Sequence, residues 1–404
     1  MNSNIIIPGL KDCLVTKVEE HGEKIHIHVE MERISHTCPQ CKEKTNKVHD
    51  YRLQKIKHLA WFQRKTEIWY KKRRYSCECG KRFLERNSFV SRYKRGSIEW
   101  ISAFSIHAIK SRSFKETSEI FGASHTTVIR RFDELSKTEI KQVTELPKVI
   151  AIDEYKGDTK AGKYQLIIAD GDTRKPIDIL PNRRKKTIKD YLKKHGAKVE
   201  IVIMDMSHSF KAAVQEALGK PVIVADRFHF VRYIYWALDG VRKRVQSSWH
   251  DYDRKKCKRM RHVFYKKSDR LTDEDQWYLQ RYLGFSKELN AAYQLKESFN
   301  RWFCSGKENG SKNILQTKEA LQSFYTEVTK ANIPEFNGAI KTLQNWQIEI
   351  INSFAYNYSN GFLEGINNLT KVIKRNAFGF RSFERFRSKI LLTHQYKNIG
   401  NHVG

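Results

Sequence analysis

Proline is scarce in this chain, with seven residues in 404, so the connections between elements should be short. No run of about 18 apolar residues occurs, which excludes a membrane-spanning helix. The first ten residues lack a basic start and hold only the short apolar run Ile5-Ile6-Ile7, so no export signal is expected. Cysteine is sparse too, and seven is an odd number. Without export, these residues read as thiols of a reducing cytoplasm rather than as disulfides. No Gly-rich phosphate loop marks an ATP-driven machine, and there is no internal repeat or low-complexity tract. Acidic charge is in deficit: 45 Asp+Glu face 76 Lys+Arg, a formal net charge of +31. Such an excess favours a polyanionic partner, because neutralised phosphates release condensed counterions. What is present suits buried cores: 40% of residues are hydrophobic and 12% aromatic, in a length that allows about two to four domains.

Four cysteines fall in two close pairs, Cys38-Pro39-Gln40-Cys41 and Cys77-Glu78-Cys79-Gly80. Two such turns brought together offer four thiolates in a tetrahedron, the donor set of a structural Zn²⁺. The one-residue spacing of the second pair is tighter than the usual knuckle, and His36 is a spare ligand. Between the pairs, basic residues alternate with aromatics from Lys57 to Lys65 and again over Trp69-Tyr70-Lys71-Lys72-Arg73-Arg74-Tyr75. That pattern suits contact with a DNA backbone, with Arg73 and Arg74 as candidates. A solvated basic face over packed aromatics would look the same.

Next, the spacing predicts helices over about 98–110 and 114–121, a turn at Gly122-Ala123, and a third helix from His125 to about Leu135 capped by Ser124. Val128, Ile129 and Phe132 fall on one face of the third helix. His125, Thr126, Arg130 and Arg131 are left for DNA. This is a helix-turn-helix pattern, although a generic helical hairpin shares it.

From Lys148 the pattern changes to strands at 149–153, 164–169 and 176–180 separated by turn residues. A helix at 186–194, a strand at 199–204, a helix at 208–218, a strand at 221–225 and a helix from about Phe228 follow. A meander followed by β-α-β-α is the ribonuclease H-like order, in which the first strand lies beside the fourth. Asp153 and Asp205, each closing an apolar run, then become neighbours. Carboxylates so placed can hold Mg²⁺ or Mn²⁺ for in-line displacement at phosphorus, with two ions about 3.5–4 Å apart. Glu364, far downstream, opens a basic amphipathic stretch and is the third candidate. Asp226 and His229 are second-tier candidates near the site. Glu154 should face away from Asp153. Residues 240–350 are polar, helical and rich in Trp, whose rings are expected mainly to pack helices.

The Cys-Pro-x-Cys and Cys-x-Cys-Gly pairs, the helix-turn-helix, Ala151-Ile152-Asp153-Glu154, Asp205 and Ala225-Asp226-Arg227-Phe228-His229 go together with two further runs, 359–368 and 371–381. In this combination the chain resembles the insertion-sequence transposases of the DDE superfamily, and within them the group named ISL-three. The resemblance extends over nearly the full length and is most specific around Glu364. It implies a zinc-binding N-terminus, a ribonuclease H-like core interrupted by a helical insertion, and a catalytic triad of Asp153, Asp205 and Glu364.

The expected organisation is therefore an α+β multidomain protein. A zinc-binding β-rich domain spans 1–92 and a helix-turn-helix domain 93–145. The catalytic core occupies 146–235 and 356–404, around a helical insertion at 236–355. Lys374, Arg375 and Arg381 join the expected DNA contacts. The expected partners are double-stranded DNA, as element ends and target, and further copies of the chain in a homodimer or larger assembly. The expected location is the cytoplasm, on the nucleoid. The competing readings are a DNA-binding regulator with an inactive core and a junction-resolving nuclease of the same fold.

Overall fold

The computed structural model describes residues 9, 10 and 12–397. Residues 1–8, with the Ile5-Ile6-Ile7 run, lie outside that range. The chain divides into two units. One comprises Met1–Lys141, Asn376–Phe378 and Ser388–Gly404; the other comprises Gln142–Arg375 and Gly379–Arg387. Among the described residues no helix is long and apolar enough to cross a membrane.

The first unit opens with strands β1 (Cys13–His21) and β2 (Lys24–Met31), followed by the short β3 (His36–Thr37) and β4 (Lys44–Thr45). The long strands β5 (Val48–Trp61) and β6 (Arg64–Ser76) form a hairpin, and β7 (Arg82–Leu84) follows. The main sheet runs β1-β2-β6-β5 with β7 on β6, and β2 pairs parallel to β6. Strand alternation explains its core: Ile25, Ile27 and Val29 point inward from β2 and meet Ile56, Ile68, Tyr70 and Phe89. Three helices follow, α1 (Ile98–Lys110), α2 (Phe114–Ile120) and α3 (His125–Glu139). Each starts at a serine, Ser97, Ser113 or Ser124, whose side chain accepts an amide hydrogen from the first turn. Phe104, Ala108 and Ile109 of α1 pack on Val128 and Phe132 of α3 and on Leu392. At the far end of α1, Lys389 donates from Nζ to the carbonyls of Ala108 (2.7 Å) and Ser111 (3.0 Å). It thereby satisfies acceptors the helix leaves over. Burial pushes its ammonium down to about 7.

The second unit holds a meander of β8 (Val149–Thr159), β9 (Gly162–Asp170) and β10 (Pro176–Leu180). Then come α4 (Lys185–His195), β11 (Ile201–Met204), α5 (His208–Leu218), β12 (Val222–Ala225) and α6 (Arg227–Gln246). The sheet order is β10-β9-β8-β11-β12, with β11 parallel to both β8 and β12. The first strand thus lies centrally beside the fourth. The crossover helices α4 and α5 bury Ile188, Leu192, Phe210 and Val214 against it.

Helices α7 (Asp251–Arg259), α8 (Asp273–Gly284), α9 (Lys287–Asn309), α10 (Ile314–Ala331), α11 (Pro334–Asn345) and α12 (Gln347–Ala355) follow α6. They share one continuous apolar core with the sheet. Trp302 and Trp346 are buried in it as expected, whereas Trp236 and Trp277 are more than half exposed. The chain then returns as α13 (Gly361–Asn376) and ends its described part with α14 (Phe383–Gln395).

Candidate carboxylate and nucleic-acid-binding sites

Three neighbouring strands each deliver an aspartate, Asp153 from within β8 and Asp205 and Asp226 from just past the ends of β11 and β12. Ala151 is in register with Ile203, so Asp153 and Asp205, each two residues further on, share one face of the sheet. Met204 is in register with Ala225, which sets Asp205 beside Asp226. Asp226 is the N-cap position of α6, and its side chain turns to His229 in the first helical turn rather than to a backbone amide. Nδ1 of His229 lies 2.9 Å from Asp226 Oδ2 and 3.1 Å from Asp205 Oδ1. The hydrogen bond goes to Asp226, leaving Asp205 Oδ1 buried without one. Ligand atoms of Asp205, Asp226 and His229 all lie within 4.8 Å of one another.

Asp153 is bound from two sides. Its Oδ1 accepts from the amide of Glu154 (2.7 Å) and its Oδ2 from Nδ2 of Asn367 (2.6 Å). Burial and the neighbouring Asp205 push its carboxyl up to about 7, and Asp226 adds to this. The Glu154 amide and His229 pull the other way. Burial opposes the charge on His229, but its hydrogen bond to Asp226 and the attraction of the Asp205 and Asp226 carboxylates win and hold it up to about 9. The cluster is therefore a set of crowded carboxylates short of positive charge. Crowded carboxylate oxygens, one buried without a hydrogen bond, fit a hard divalent cation such as Mg²⁺ or Mn²⁺.

Glu364 stands exposed on the first turn of α13, one turn before Asn367. It shares a helix with the residue that grips Asp153, while the Asp205–Asp226–His229 cluster forms without it. Two asparagines that sequence reasoning did not single out anchor this helix: Asn367 on Asp153, and Asn360 Nδ2 at 3.4 Å from the carbonyl of Ile152. Their signal was their position, Asn360 immediately before α13 and Asn367 two turns further on. Glu154 turns away from Asp153 and takes Arg183 at 2.6 Å.

In the first unit the thiols of Cys38, Cys41, Cys77 and Cys79 gather within 4.8 Å. Sγ of Cys38 is 3.7 Å from that of Cys79, and Cys41 is 3.4 Å from Cys77. Tetrahedral Zn–S bonds of about 2.3 Å set sulfurs about 3.8 Å apart, so the set fits a zinc ion. His36 takes no part and instead packs its ring on Tyr75 at 4.6 Å.

The expected DNA contacts divide. His125, Thr126 and Arg130 are exposed on α3, whereas Arg131 is half-buried and bonds Glu134 at 2.7 Å. Arg73 faces inward, a correction to its reading as an outward base. It donates to the Met31 carbonyl at 2.6 Å and pairs with Glu30 and Glu85. The cause is a change of phase in β6: the buried positions are Thr66, Ile68 and Tyr70, then Arg73 and Tyr75. Arg74 pairs with Asp50 at 3.3 Å. In the second unit Lys374 holds Asp158 at 2.6 Å, while Arg375 and Arg381 are exposed.

An aspartate cluster on a mixed five-stranded sheet, in a basic chain with a four-thiol knuckle pair, suits a protein that works on nucleic acid. Comparison with known proteins agrees. Residues 150–390 match a family described as transposase, of the ISL3 type, and residues 34–79 match the zinc-finger of the IS204/IS1001/IS1096/IS1165 transposases. The transposase for insertion sequence element IS1001 of Bordetella parapertussis is 24% identical over 394 residues, covering 92% of each chain. The transposase for IS1557 of Mycobacterium tuberculosis is 24% identical over 261 residues, 57% of this chain and 56% of that one. A Lactococcus lactis protein named ATP-dependent protease is 34% identical over 134 residues, 32% of this chain and 38% of its own length. This chain belongs to the ISL3 family of DDE transposases.

Proposed function

We propose that this transposase binds the terminal inverted repeats of its own element, cleaves at the ends and joins the freed 3′-hydroxyl to target DNA. The observation that carries the reading is the parallel register that sets Asp153 beside Asp205, with Asp226 and His229 completing the cluster. On this reading the sheet is a ribonuclease H-like core, α1–α3 are a helix-turn-helix unit, and Asp153, Asp205 and Glu364 form the triad. Bound there, Mg²⁺ or Mn²⁺ supplies the Lewis acidity that activates an attacking oxygen and stabilises a leaving one. The protein's own residues do the positioning. Asn367 fixes the carboxylate of Asp153, and Asn360 ties the start of α13 to β8, so Glu364 is carried on a braced helix. His229, protonated at neutral pH, holds Asp205 and Asp226 in place. Cys38, Cys41, Cys77 and Cys79 hold Zn²⁺ and staple the β5–β6 hairpin. Synapsis of two ends calls for a homodimer or larger assembly on DNA.

The test is cleavage of labelled element ends by Asp153→Asn, Asp205→Asn and Glu364→Gln. Each should abolish cutting and leave end binding nearly intact, because affinity comes from basic groups elsewhere. Near-normal cleavage by any one of them removes that residue from the triad. Cleavage of bare branched junctions, independent of end sequence and without joining, would favour a junction-resolving nuclease. Specific binding without cleavage would favour a regulator.

A further inference from the structure

The β5–β6 hairpin closes in two residues, Phe62 and Gln63, between the paired Trp61 and Arg64. Both lie in the left-handed region, with φ of 48° and 63°. A two-residue turn of this kind strongly prefers Asn-Gly, because glycine and short polar residues bear a positive φ best. An aromatic residue is poorly suited to it. Phe62 is 90% exposed, so no packing of its ring offsets the strain. Strain kept where the fold gains nothing points to a use outside the fold. Among the described residues Tyr93 and Phe378 also combine near-full exposure with a positive φ, but neither closes a pair of long strands.

The surroundings of the ring indicate its target. Residues 48–76 hold nine Lys and Arg against two carboxylates. Arg64, Arg73 and Arg74 are paired with Glu20, Glu30 and Asp50. Lys55, Lys65, Lys71 and Lys72 have no ion pair among the described residues. Lys55 and Lys71 lie over the rings of Trp69 and Tyr51 at 4.2 and 4.8 Å, which leaves their charge available. An apolar ring at the tip of a cationic arm matches an apolar stack flanked by phosphates, which is the cross-section of duplex DNA. Proteins that deform DNA insert such side chains between base steps.

We propose that Phe62 is a wedge that enters between adjacent base pairs of the element-end duplex, with Lys65 near the tip at the flanking phosphates and Lys55, Lys71 and Lys72, seven to ten residues away along the strands, on phosphates further along the same duplex. The proposal rests on the end-binding reading above and adds a local unstacking of the DNA. It is tested with the full-length protein and end duplexes in which 2-aminopurine is walked through the bound region. Wild type should raise 2-aminopurine fluorescence several-fold at one step. Phe62→Ala should abolish that rise and weaken binding by about tenfold or less, since the phosphate contacts remain. Phe62→Trp should keep it. Phe62→Asn combined with Gln63→Gly should abolish it while raising the melting temperature, because the turn is then better suited to its backbone. A rise that persists in Phe62→Ala, or a wild-type complex with no rise at any position, overturns the insertion and leaves end binding standing. Absence of any specific wild-type complex overturns end binding and the insertion together.

Discussion

Replacing Asp153 with asparagine should make the protein more stable, although it removes a group proposed to be essential. The carboxyl ionises at 3.8 when free and at about 7 in the fold. Between those values the folded state binds more protons than the unfolded one, so stability falls as pH rises through that window. Each pH unit is worth about 1.4 kcal/mol, which sets a ceiling of about 4 kcal/mol above pH 7. The amide cannot ionise, so it escapes this penalty. It can still accept from the Glu154 amide. Asn367 can adapt by a flip, because its own Oδ1 is buried without a partner. Imperfect adaptation should leave about 2 kcal/mol, or about 4–8 °C in melting temperature. The assay is calorimetric unfolding of wild type and Asp153→Asn in EDTA from pH 4 to pH 8. The advantage of the variant should be near zero at pH 4 and fully present at pH 8. Added Mg²⁺ should close the gap by stabilising only the wild type. A variant no more stable than wild type at pH 8 would refute the claim that crowded, buried carboxylates strain this site.

Other expectations follow from the same structure. His229→Gln should destabilise by about 3 kcal/mol below pH 6.5; the loss should fade as pH rises through about 9, because the folded imidazolium is held up to that value. Thermal melts of wild type and variant across that range check it. Elemental analysis should find about one equivalent of zinc, and Cys38→Ser should lose it together with the fold of the ribbon; zinc below half an equivalent with a chelator-resistant ribbon would argue against the thiol site. Arg130→Ala should weaken end binding and, if it reads a base edge, relax preference at one position by about 1–3 kcal/mol. Arg131→Ala should do less, because Arg131 is already paired with Glu134; binding isotherms on base-substituted ends separate the two.

Much of the second unit was legible because its strands are apolar runs ended by turn residues. The strand at 176–180 and the helix at 208–218 lie where their periodicity puts them, as does the helix at 98–110 in the first unit. The first core strand was read too short. It continues to Thr159 because Tyr155 and Gly157 stay buried between polar residues, an alternation that charge at Glu154, Lys156 and Asp158 obscured. The aspartates on adjacent strands follow from topology alone. The part played by His229 does not, since nothing in a sequence shows that a helix's first turn will reach back over two strand ends. Glu364 is separated from Asp205 by the whole helical insertion, so its sequence context marks it only as a candidate, and its expected place in the triad comes from the resemblance to a family. Arg73 was misplaced because inward and outward faces exchange midway along β6, a slip that charge patterning cannot reveal.

The central claim is metal-dependent cleavage and joining by carboxylates rather than through a covalent enzyme link. Wild-type protein, labelled element ends, target plasmid and Mg²⁺, quenched in denaturant mid-reaction and run on a denaturing gel, test it directly. The account predicts free 3′-ends and end-to-target joints, both abolished by EDTA, with no label on the protein. Label that migrates with denatured protein and is freed only by protease would contradict it and move the chemistry to a tyrosine or serine nucleophile.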